Sequence, residues 1–206
     1  MLNKMKNVNA ELGIAFDGDG DRIGVIDKQG RSVAGDLLTA FLANSIATND
    51  KNNQTIILDI KSSYVAYEKI MSLGFQAEIG KTGHSNIKKR IKEIKSPLAG
   101  EMSGHIFFGD TYYGYDDALY AAIRLLTLMA NNIELDKFIS TLPETFVSPE
   151  IKVFCSDEIN YPTNLCSATF SSSVITGFIS KSISNLTFQG AKCSVIFMPA
   201  EAWTII

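Results

Sequence analysis

Cysteine and proline are scarce in this chain of 206 residues, and glycine is not in excess. There are three cysteines, Cys155, Cys166 and Cys193, and neither their odd number nor their spacing fits a disulfide framework or a metal site. We therefore expect a reducing, cytoplasmic setting. Fifteen glycines and five prolines are too few for a fibrous or low-complexity protein.

The chain also lacks an excess of charge and a hydrophobic segment of membrane-spanning length. The formal net charge is −3, so no basic patch points to nucleic acid. No apolar run approaches the roughly 18–20 residues that a membrane span needs, and Met1–Asn9 contains no signal-peptide core. We expect neither a nucleic-acid partner nor a membrane partner, but a globular protein of one large or two small domains.

Up to about Leu142 the apolar residues recur with two periods, one typical of strands and one typical of helices. Predicted strands are Leu12–Phe16, Ile23–Ile26, Thr55–Ile60, Phe75–Ile79, Leu98–Gly100 and Ile106–Phe108. Predicted helices are Asp36–Thr48, Ser63–Leu73, His84–Ile94, Asp116–Met129 and Leu135–Leu142. Their alternation predicts an α/β fold with a mixed, largely parallel sheet and flanking helices. Because ligand loops gather at the carboxyl ends of parallel strands, we expect four loops to converge, those after Phe16, Ile60, Ile79 and Gly100.

The last quarter of the chain has a different composition. From Ile159 to Ala200 only Lys181 and Lys192 carry charge, which is 2 of 42 residues, whereas the chain average of 20% predicts about 8. This shift marks a boundary near Phe154–Asp157. Beyond it we expect a small β-rich or poorly ordered piece.

The acidic loop Asp17–Arg22 follows the first predicted strand. Asp17, Asp19 and Asp21 are separated by glycines, which let the backbone bend so that three carboxylates point at one centre. Hard oxygen ligands of this kind suit Mg²⁺, and the fork of Arg22 suits a phosphate on the same centre. The sequence therefore predicts a magnesium site in this loop.

The acidic loop has three alternatives to a magnesium site. The EF-hand pattern fails, because Arg22 and Lys28 stand where it requires glycine and glutamate. The dehalogenase motif, in which Asp17 would be a nucleophile, fits in part, because Asp21 stands where it has threonine. A solvated acidic turn is the third alternative.

Histidine occurs at two positions, His84 and His105, and each lies in a polar loop after a predicted strand. The loops are Lys81–Ser85 and Gly100–His105. Histidine suits proton transfer or phosphate contact near neutral pH. A structural role for each histidine is the alternative.

Other polar residues lie near these histidines in the sequence. Glu101 and Ser103 could accept and donate hydrogen bonds to neighbouring hydroxyls of a polyol, unless Glu101 is a cap or a surface carboxylate. Lys61, just past a predicted strand, would bring a cation to the same edge, unless it is solvated. The basic cluster Lys88–Lys92 is interpreted as a solvated helix face without a function.

Several motifs in fixed order resemble the phosphomannomutase/phosphoglucomutase (α-D-phosphohexomutase) family. The resemblance covers roughly Leu12–Leu142 and then only Ser148–Val153. The segments that carry it are Gly13–Arg22, Lys81–Ser85 with Ile87–Lys89, Gly100–Phe108 and Tyr115–Asp117.

Family members have four domains around a cleft, so the resemblance implies a division of this chain into three parts. Residues 1–33 would be the end of domain 2 with the metal loop, which is the acidic loop Asp17–Arg22. Residues 34–146 would be domain 3 with the sugar-binding loop Gly100–His105, here called the sugar loop, and 147–206 a truncated or divergent domain 4. The implied site residues are Asp17, Asp19 and Asp21 for Mg²⁺, Arg22, Lys61 and His84 for catalysis, and Glu101, Ser103 and His105 for substrate binding.

The family reaction moves a phosphoryl group between C1 and C6 of a hexose phosphate, of mannose or glucose, with a hexose 1,6-bisphosphate as activator. The sequence departs from the family in two respects. It has no Thr-Ala-Ser-His-Asn-Pro-like segment, which carries the family's phosphoserine, and no arginine after Arg124 for the loop that grips the substrate phosphate. We therefore expect a gene fragment that is inactive alone, with a changed reading frame after about Cys155.

Two further expectations follow from this fragment hypothesis. The alternative to a mutase is a non-catalytic remnant that binds Mg²⁺ and a sugar phosphate. The strands Leu12–Phe16 and Ile23–Ile26, away from their usual sheet, would leave apolar edges unpaired, which predicts self-association.

Overall fold

The structure is a computed structural model that describes residues 1–143 and the backbone of 184–188 and 191–195. The chain divides into two compact units, Met1–Phe146 and Val147–Ile206. The helices are α1 Leu2–Val8, α2 Gly35–Leu42, α3 Tyr64–Ser72, α4 His84–Ile94, α5 Ala118–Ala130 and α6 Leu135–Ser140. The strands are β1 Gly13–Phe16, β2 Ile23–Ile26, β3 Ser32–Val33, β4 Thr55–Asp59, β5 Gln76–Gly80, β6 Leu98–Gly100, β7 Ile106–Phe108, β8 Ser184–Phe188 and β9 Ala191–Val195.

A four-stranded sheet in the order β5-β4-β6-β7 forms the centre of the first unit. Strand β4 is parallel to both β5 and β6, and β7 is antiparallel to β6. In β4, Ile56 and Leu58 belong to one apolar cluster and Ile57 to another, as expected of a central strand covered on both faces. The predicted α/β fold with a mixed, largely parallel sheet is confirmed.

Helices cover both faces of this sheet. Apolar side chains of α2, α3 and α5 join the larger cluster, and Ile87 and Ile91 of α4 join the smaller one. The side chains of Ser63 and Asp117 cap α3 and α5 by accepting hydrogen bonds from backbone N–H groups of the first turn. Among the described residues, no helix is long and apolar enough for a membrane span.

The first two predicted strands do not join the parallel sheet. Strands β1, β2 and β3 form a separate antiparallel sheet, in which Gly13 pairs with Ile26 and Phe16 with Ile23. The acidic loop therefore follows a strand of a different sheet from the one that carries the other three loops. The reason is that the loop is short enough for β1 and β2 to pair directly as a hairpin.

An ion pair with one buried partner attaches this hairpin to the rest of the unit. Asp27, which is fully buried, accepts hydrogen bonds from the backbone N–H and the guanidinium of Arg31. The same guanidinium donates to the carbonyl of Asp136 and to the hydroxyl of Ser140 in α6. The hairpin is thus tied to a helix that lies far away in sequence.

The second unit contributes one described feature, the antiparallel pair of β8 and β9. The predicted boundary near Phe154–Asp157 and the family-like stretch Ser148–Val153 lie outside the described residues. The cysteine side chains also lie outside them.

Candidate functional site

The loops that follow the parallel strands β4, β5 and β6 meet at one edge of the sheet. Asp59, the last residue of β4, is buried and connects all three loops. Its carboxylate accepts hydrogen bonds from the Ser62 hydroxyl at 2.6 Å and from the Thr82 hydroxyl at 3.2 Å. It also accepts one from the backbone N–H of Met102 in the sugar loop, at 3.2 Å. The sequence analysis missed Asp59, although a charged residue inside an apolar strand pattern is a signal for it.

The buried carboxylate of Glu101 connects the sugar loop to the start of α4. One oxygen accepts a hydrogen bond from the backbone N–H of Gly83 at 2.7 Å, and the other accepts one from the Ser103 hydroxyl at 3.3 Å. Glu101 is 3% exposed, so it is not a surface carboxylate. Its backbone N–H bonds to the carbonyl of His105, which closes the loop.

The sugar loop needs glycine at position 104, the last residue of the turn that begins at Glu101. Gly104 has a φ of +97°, which residues with a side chain rarely adopt, and an added Cβ would lie 2.6 Å from the carbonyl oxygen of Ile23. The close approach of the two backbones allows a hydrogen bond, which the N–H of Ile23 donates to the carbonyl of Gly104 at 3.1 Å. Arg22 and His105 form an isolated antiparallel bridge beside it.

The acidic loop therefore reaches the same site from the other sheet. Besides its bridge to the sugar loop, it contacts the start of α5, since the backbone N–H of Ala118 donates to the carbonyl of Gly20 at 3.1 Å. The predicted convergence of the acidic loop with the loops after β5 and β6 is thus realised by backbone pairing between two sheets.

Within the acidic loop, Asp17 binds its own loop. One oxygen accepts hydrogen bonds from the N–H groups of Gly20 and Arg22, and the other accepts one from the Arg22 guanidinium at 2.7 Å. Partial desolvation raises the pKa of the Asp17 carboxyl, but the hydrogen bonds from Arg22 outweigh it and the pKa lies below its ordinary value. Asp19 is exposed, and one oxygen of Asp21 is buried without a hydrogen-bond partner among the described residues.

Asp21 lies beside two residues of other segments. Its Oδ2 is 3.6 Å from Nδ1 of His105, and Oδ2 of Asp116 is 3.2 Å from the same nitrogen. Among the residues that the structure describes, these three form the one group of at least three whose possible metal ligands lie within 4.8 Å of one another. Asp17 and Asp19 do not belong to that group, so the predicted set of three loop carboxylates stays a prediction.

Lys88 corrects the interpretation of Lys88–Lys92 as a solvated face. Its side chain is 29% exposed, and its Nζ lies 2.6 Å from Oδ1 of Asp116. The same Nζ lies 3.3 Å from Nδ1 of His84. The rings of His84 and His105 are 6.4 Å apart and nearly parallel, so the structure brings both histidines into one site. The error arose because a helix start can turn one residue inward while its neighbours face solvent.

Comparison with known proteins places this arrangement in a family. The family model described as phosphoglucomutase/phosphomannomutase, alpha/beta/alpha domain III, matches residues 34–146, which is more than half of the chain. The chain belongs to the phosphoglucomutase/phosphomannomutase family. The resemblance inferred from the motifs is thereby confirmed.

Individual members of the family agree with this assignment. A phosphomannomutase/phosphoglucomutase of Pseudomonas putida is 38% identical over 159 residues, which are 77% of this chain and 34% of that protein. A phosphomannomutase of Methanocaldococcus jannaschii is 37% identical over 161 residues, 78% of this chain and 34% of that protein. The crystal structure of a phosphoglucomutase/phosphomannomutase family protein from Burkholderia thailandensis matches with a TM-score of 0.66 and 38% identity, over 72% of this chain and 32% of that one. The chain spans about a third of the length of the curated relatives it matches.

Three of the predicted site residues in this family member have exposed side chains. Lys61, Ser103 and His84 are exposed, and Lys61 follows the end of β4. A groove of about 590 Å³ lies elsewhere in the unit, lined among others by Glu11 and Lys28, and contains none of the predicted site residues. The candidate site is therefore defined by the converging loops and not by that groove.

Proposed function

We propose that the chain supplies the metal loop and the sugar loop of a phosphohexomutase, which moves a phosphoryl group between C1 and C6 of a hexose phosphate. The observation that carries this proposal is the joint between the two loops. Ile23 bonds to Gly104 and Arg22 pairs with His105, so the acidic loop and the sugar loop share one site. Membership of the family supports the same reaction.

Mg²⁺ fits the acidic loop chemically. Asp17, Asp19 and Asp21 offer hard carboxylate oxygens. Among the described residues, the buried Oδ1 of Asp21 has no hydrogen-bond partner and lies 3.9 Å from Nε of Arg22, so one of its lone pairs can bind a cation. Mg²⁺ bound there would neutralise charge on the transferring phosphoryl group. Arg22, whose side chain is half exposed, would hold a phosphate oxygen beside it.

The sugar would lie on the other loop. The Ser103 hydroxyl and the Glu101 carboxylate can bind neighbouring hydroxyls, and a buried carboxylate gives such bonds strength and direction. His105, His84 and Lys61 would exchange protons with the sugar or contact its phosphate. The names of the relatives include both mannose and glucose enzymes, so the proposed substrate is mannose or glucose phosphate.

The phosphoryl carrier would come from outside these 206 residues, which contain no Thr-Ala-Ser-His-Asn-Pro-like segment. We propose that the chain by itself binds Mg²⁺ and a sugar phosphate without turnover, and that a hexose 1,6-bisphosphate is the activator of the complete enzyme. The cytoplasmic setting and self-association through the edge of the β1–β3 sheet stay predictions.

The test has two parts, both on the full chain. A coupled mutase assay with mannose 1-phosphate, glucose 1,6-bisphosphate and Mg²⁺ should give no turnover, and turnover would refute the external carrier.

Calorimetric titration with glucose 1,6-bisphosphate and Mg²⁺ should show binding that Arg22→Gln weakens. Lys92→Gln, which removes an exposed cation elsewhere, should bind like the original chain. Absence of binding would contradict the proposal, and phosphate release with labelling of Asp17 would favour the dehalogenase alternative.

A further inference from the structure

Asp59 occupies the central strand of the parallel sheet at the edge where the loops of the site begin. It is the last residue of β4, which lies between β5 and β6. In the register Asp59 lies beside Gly80, and its neighbour Leu58 lies beside Gly100. These glycines end β5 and β6, so a side chain at position 59 has the loops after both strands within reach. Asp59 is 1% exposed, which is too little for its carboxylate to contact a ligand itself.

The three groups that donate hydrogen bonds to Asp59 come from three different loops. Each group lies within two residues of a side chain that the proposed function places on the substrate. The neighbours are Ser62 with Lys61, Thr82 with His84, and Met102 with both Glu101 and Ser103. One buried carboxylate thus holds every loop that presents a proposed substrate residue after β4, β5 or β6.

We infer that Asp59 is a positioning residue, which couples the three loops and thereby sets the affinity of the site for a sugar phosphate. A loop that is not held in place before binding must be ordered when the ligand binds, and the free energy of that ordering is lost from the affinity. Because three donors share one carboxylate, the position of each loop depends on the other two. The coupling is a property of the free chain, whereas its effect on affinity rests on the proposed function.

A purely structural role for Asp59 predicts a different response to substitution. In that case its hydrogen bonds would stabilise the folded state as a whole, and the loss of one would change global unfolding and leave the folded site as it was. With coupling, the loss of a hydrogen bond in one loop changes the local opening of another loop. The two roles therefore differ in the folded chain, below the temperature at which it unfolds.

The first measurement is amide hydrogen exchange of the full chain by NMR, without ligand or metal. Thr82→Val removes the hydroxyl that donates to Asp59 and keeps the shape of the side chain, and Thr82 is exposed, so the variant should fold. We expect exchange at the N–H of Met102 to become about fivefold faster, as for the net contribution of one hydrogen bond. Exchange within β4, which reports on global unfolding, should change less, and Thr82→Ser should restore slow exchange at Met102.

Thr55→Val is the matched control for this measurement. It makes the same chemical change at the first residue of β4, where the hydroxyl donates to Gln76 at the opposite end of the strand from Asp59. Exchange at the N–H of Met102 should stay as it is in the original chain.

The second measurement is calorimetric titration with glucose 1,6-bisphosphate and Mg²⁺. Thr82→Val should weaken binding by about fivefold, and Asp59→Ala, which removes all three hydrogen bonds, should weaken it more. In an Asp59→Ala background Thr82→Val should have no further effect, because its hydroxyl acts only through Asp59. Asp27→Asn alters a buried carboxylate outside these loops, so it should lower stability and leave the affinity unchanged.

Either of two results would overturn the inference. One is unchanged exchange at Met102 in folded Thr82→Val, which decides the coupling whether or not the chain binds a sugar phosphate. The other is a further loss of affinity when Thr82→Val is added to Asp59→Ala, since Thr82 would then act on the ligand directly. Absence of binding by the unsubstituted chain would contradict the proposed function alone, so the two can fail separately.

Discussion

The acidic loop and the sugar loop touch each other, yet they are held in place in opposite ways. The sugar loop is fixed by groups from other segments, since Glu101 bonds to Gly83 and Asp59 accepts a hydrogen bond from Met102. The acidic loop bonds mainly to itself, with Asp17 accepting hydrogen bonds from its own loop. Buried residues dominate the first loop's anchors, and exposed residues dominate the second.

The two ways of holding a loop suit two kinds of ligand, a polyol and a cation. A polyol is bound by neutral and charged hydrogen-bonding groups that must already be in position, so the fold itself fixes Glu101. A cation is bound by carboxylates that repel one another until it arrives, so an exposed, self-bonded loop is sufficient before binding. Substitutions should therefore damage folding in the sugar loop and ligand response in the acidic loop.

Gly104→Ala is expected to have the largest effect on stability. The substitution forces a side chain into a positive φ and against the carbonyl of Ile23, which we expect to lower the free energy of unfolding by about 3 kcal/mol. Gly18→Ala is the matched control in the acidic loop, where nothing lies within 4 Å of an added Cβ. Urea unfolding of both variants checks the difference, and equal losses would show that the two loops are not held differently.

Glu101→Ala should be the next most damaging change. It leaves the N–H of Gly83 without its acceptor in a partly buried place, at a cost of about 2 kcal/mol. Asp19→Ala, in the exposed loop, should change the free energy of unfolding by less than about 0.5 kcal/mol without Mg²⁺. The same denaturant titration measures both, and a large loss for Asp19→Ala would contradict the comparison.

The sequence predicted most of the strands and helices because their signals are local. Apolar runs such as Thr55–Ile60 and Leu98–Gly100 became β4 and β6 with small changes at their ends. Helix α1 was missed because it buries Met5 alone and so shows no apolar period, and strand β3 was missed because two residues are too few to show one. Whether β1 joins the parallel sheet depends on long-range pairing, which no local pattern encodes.

The sequence predicts the site residues that lie in the loops. It does not predict the residues that hold those loops in place. His84, His105 and Glu101 stand out in sequence because they are rare or lie in glycine-rich loops. Lys88 does not, because a lysine in a basic helix looks solvated, and Asp59 was missed although it is the one charged residue in an apolar strand pattern. Their roles depend on burial and on partners from other segments, which the fold alone determines.

Mg²⁺ should stabilise the chain through the acidic loop. At roughly ten times its Kd the ion should raise the free energy of unfolding by about 1.4 kcal/mol, because it binds the folded state only. Asp19→Ala should abolish this gain, and Glu11→Gln, which removes an exposed carboxylate outside the loop, should keep it. Thermal unfolding with Mg²⁺ and with a chelator measures it. A gain that survives Asp19→Ala would place the ion elsewhere.

Arg22→Gln is expected to have the smallest effect on the free energy of unfolding. Comparing it with Arg31→Gln tests whether solvent exposure of the ion pair is the reason that the two loops differ. Arg22 pairs with Asp17 at 2.7 Å and Arg31 pairs with Asp27 at 2.6 Å, so the two pairs are alike in length. The Asp17 side chain is 26% exposed and that of Asp27 is fully buried. Arg22→Gln should therefore cost less than about 0.5 kcal/mol of unfolding free energy.

Arg31→Gln should cost several times more, because it leaves a buried carboxylate without its cation and releases the hairpin from α6. Unfolding of both variants at low and high salt checks the cause, since salt screens the more exposed Arg22–Asp17 pair more strongly. A loss for Arg22→Gln as large as that for Arg31→Gln would mean that the acidic loop is built into the fold as firmly as the sugar loop. In that case the loop would need no cation to hold its shape.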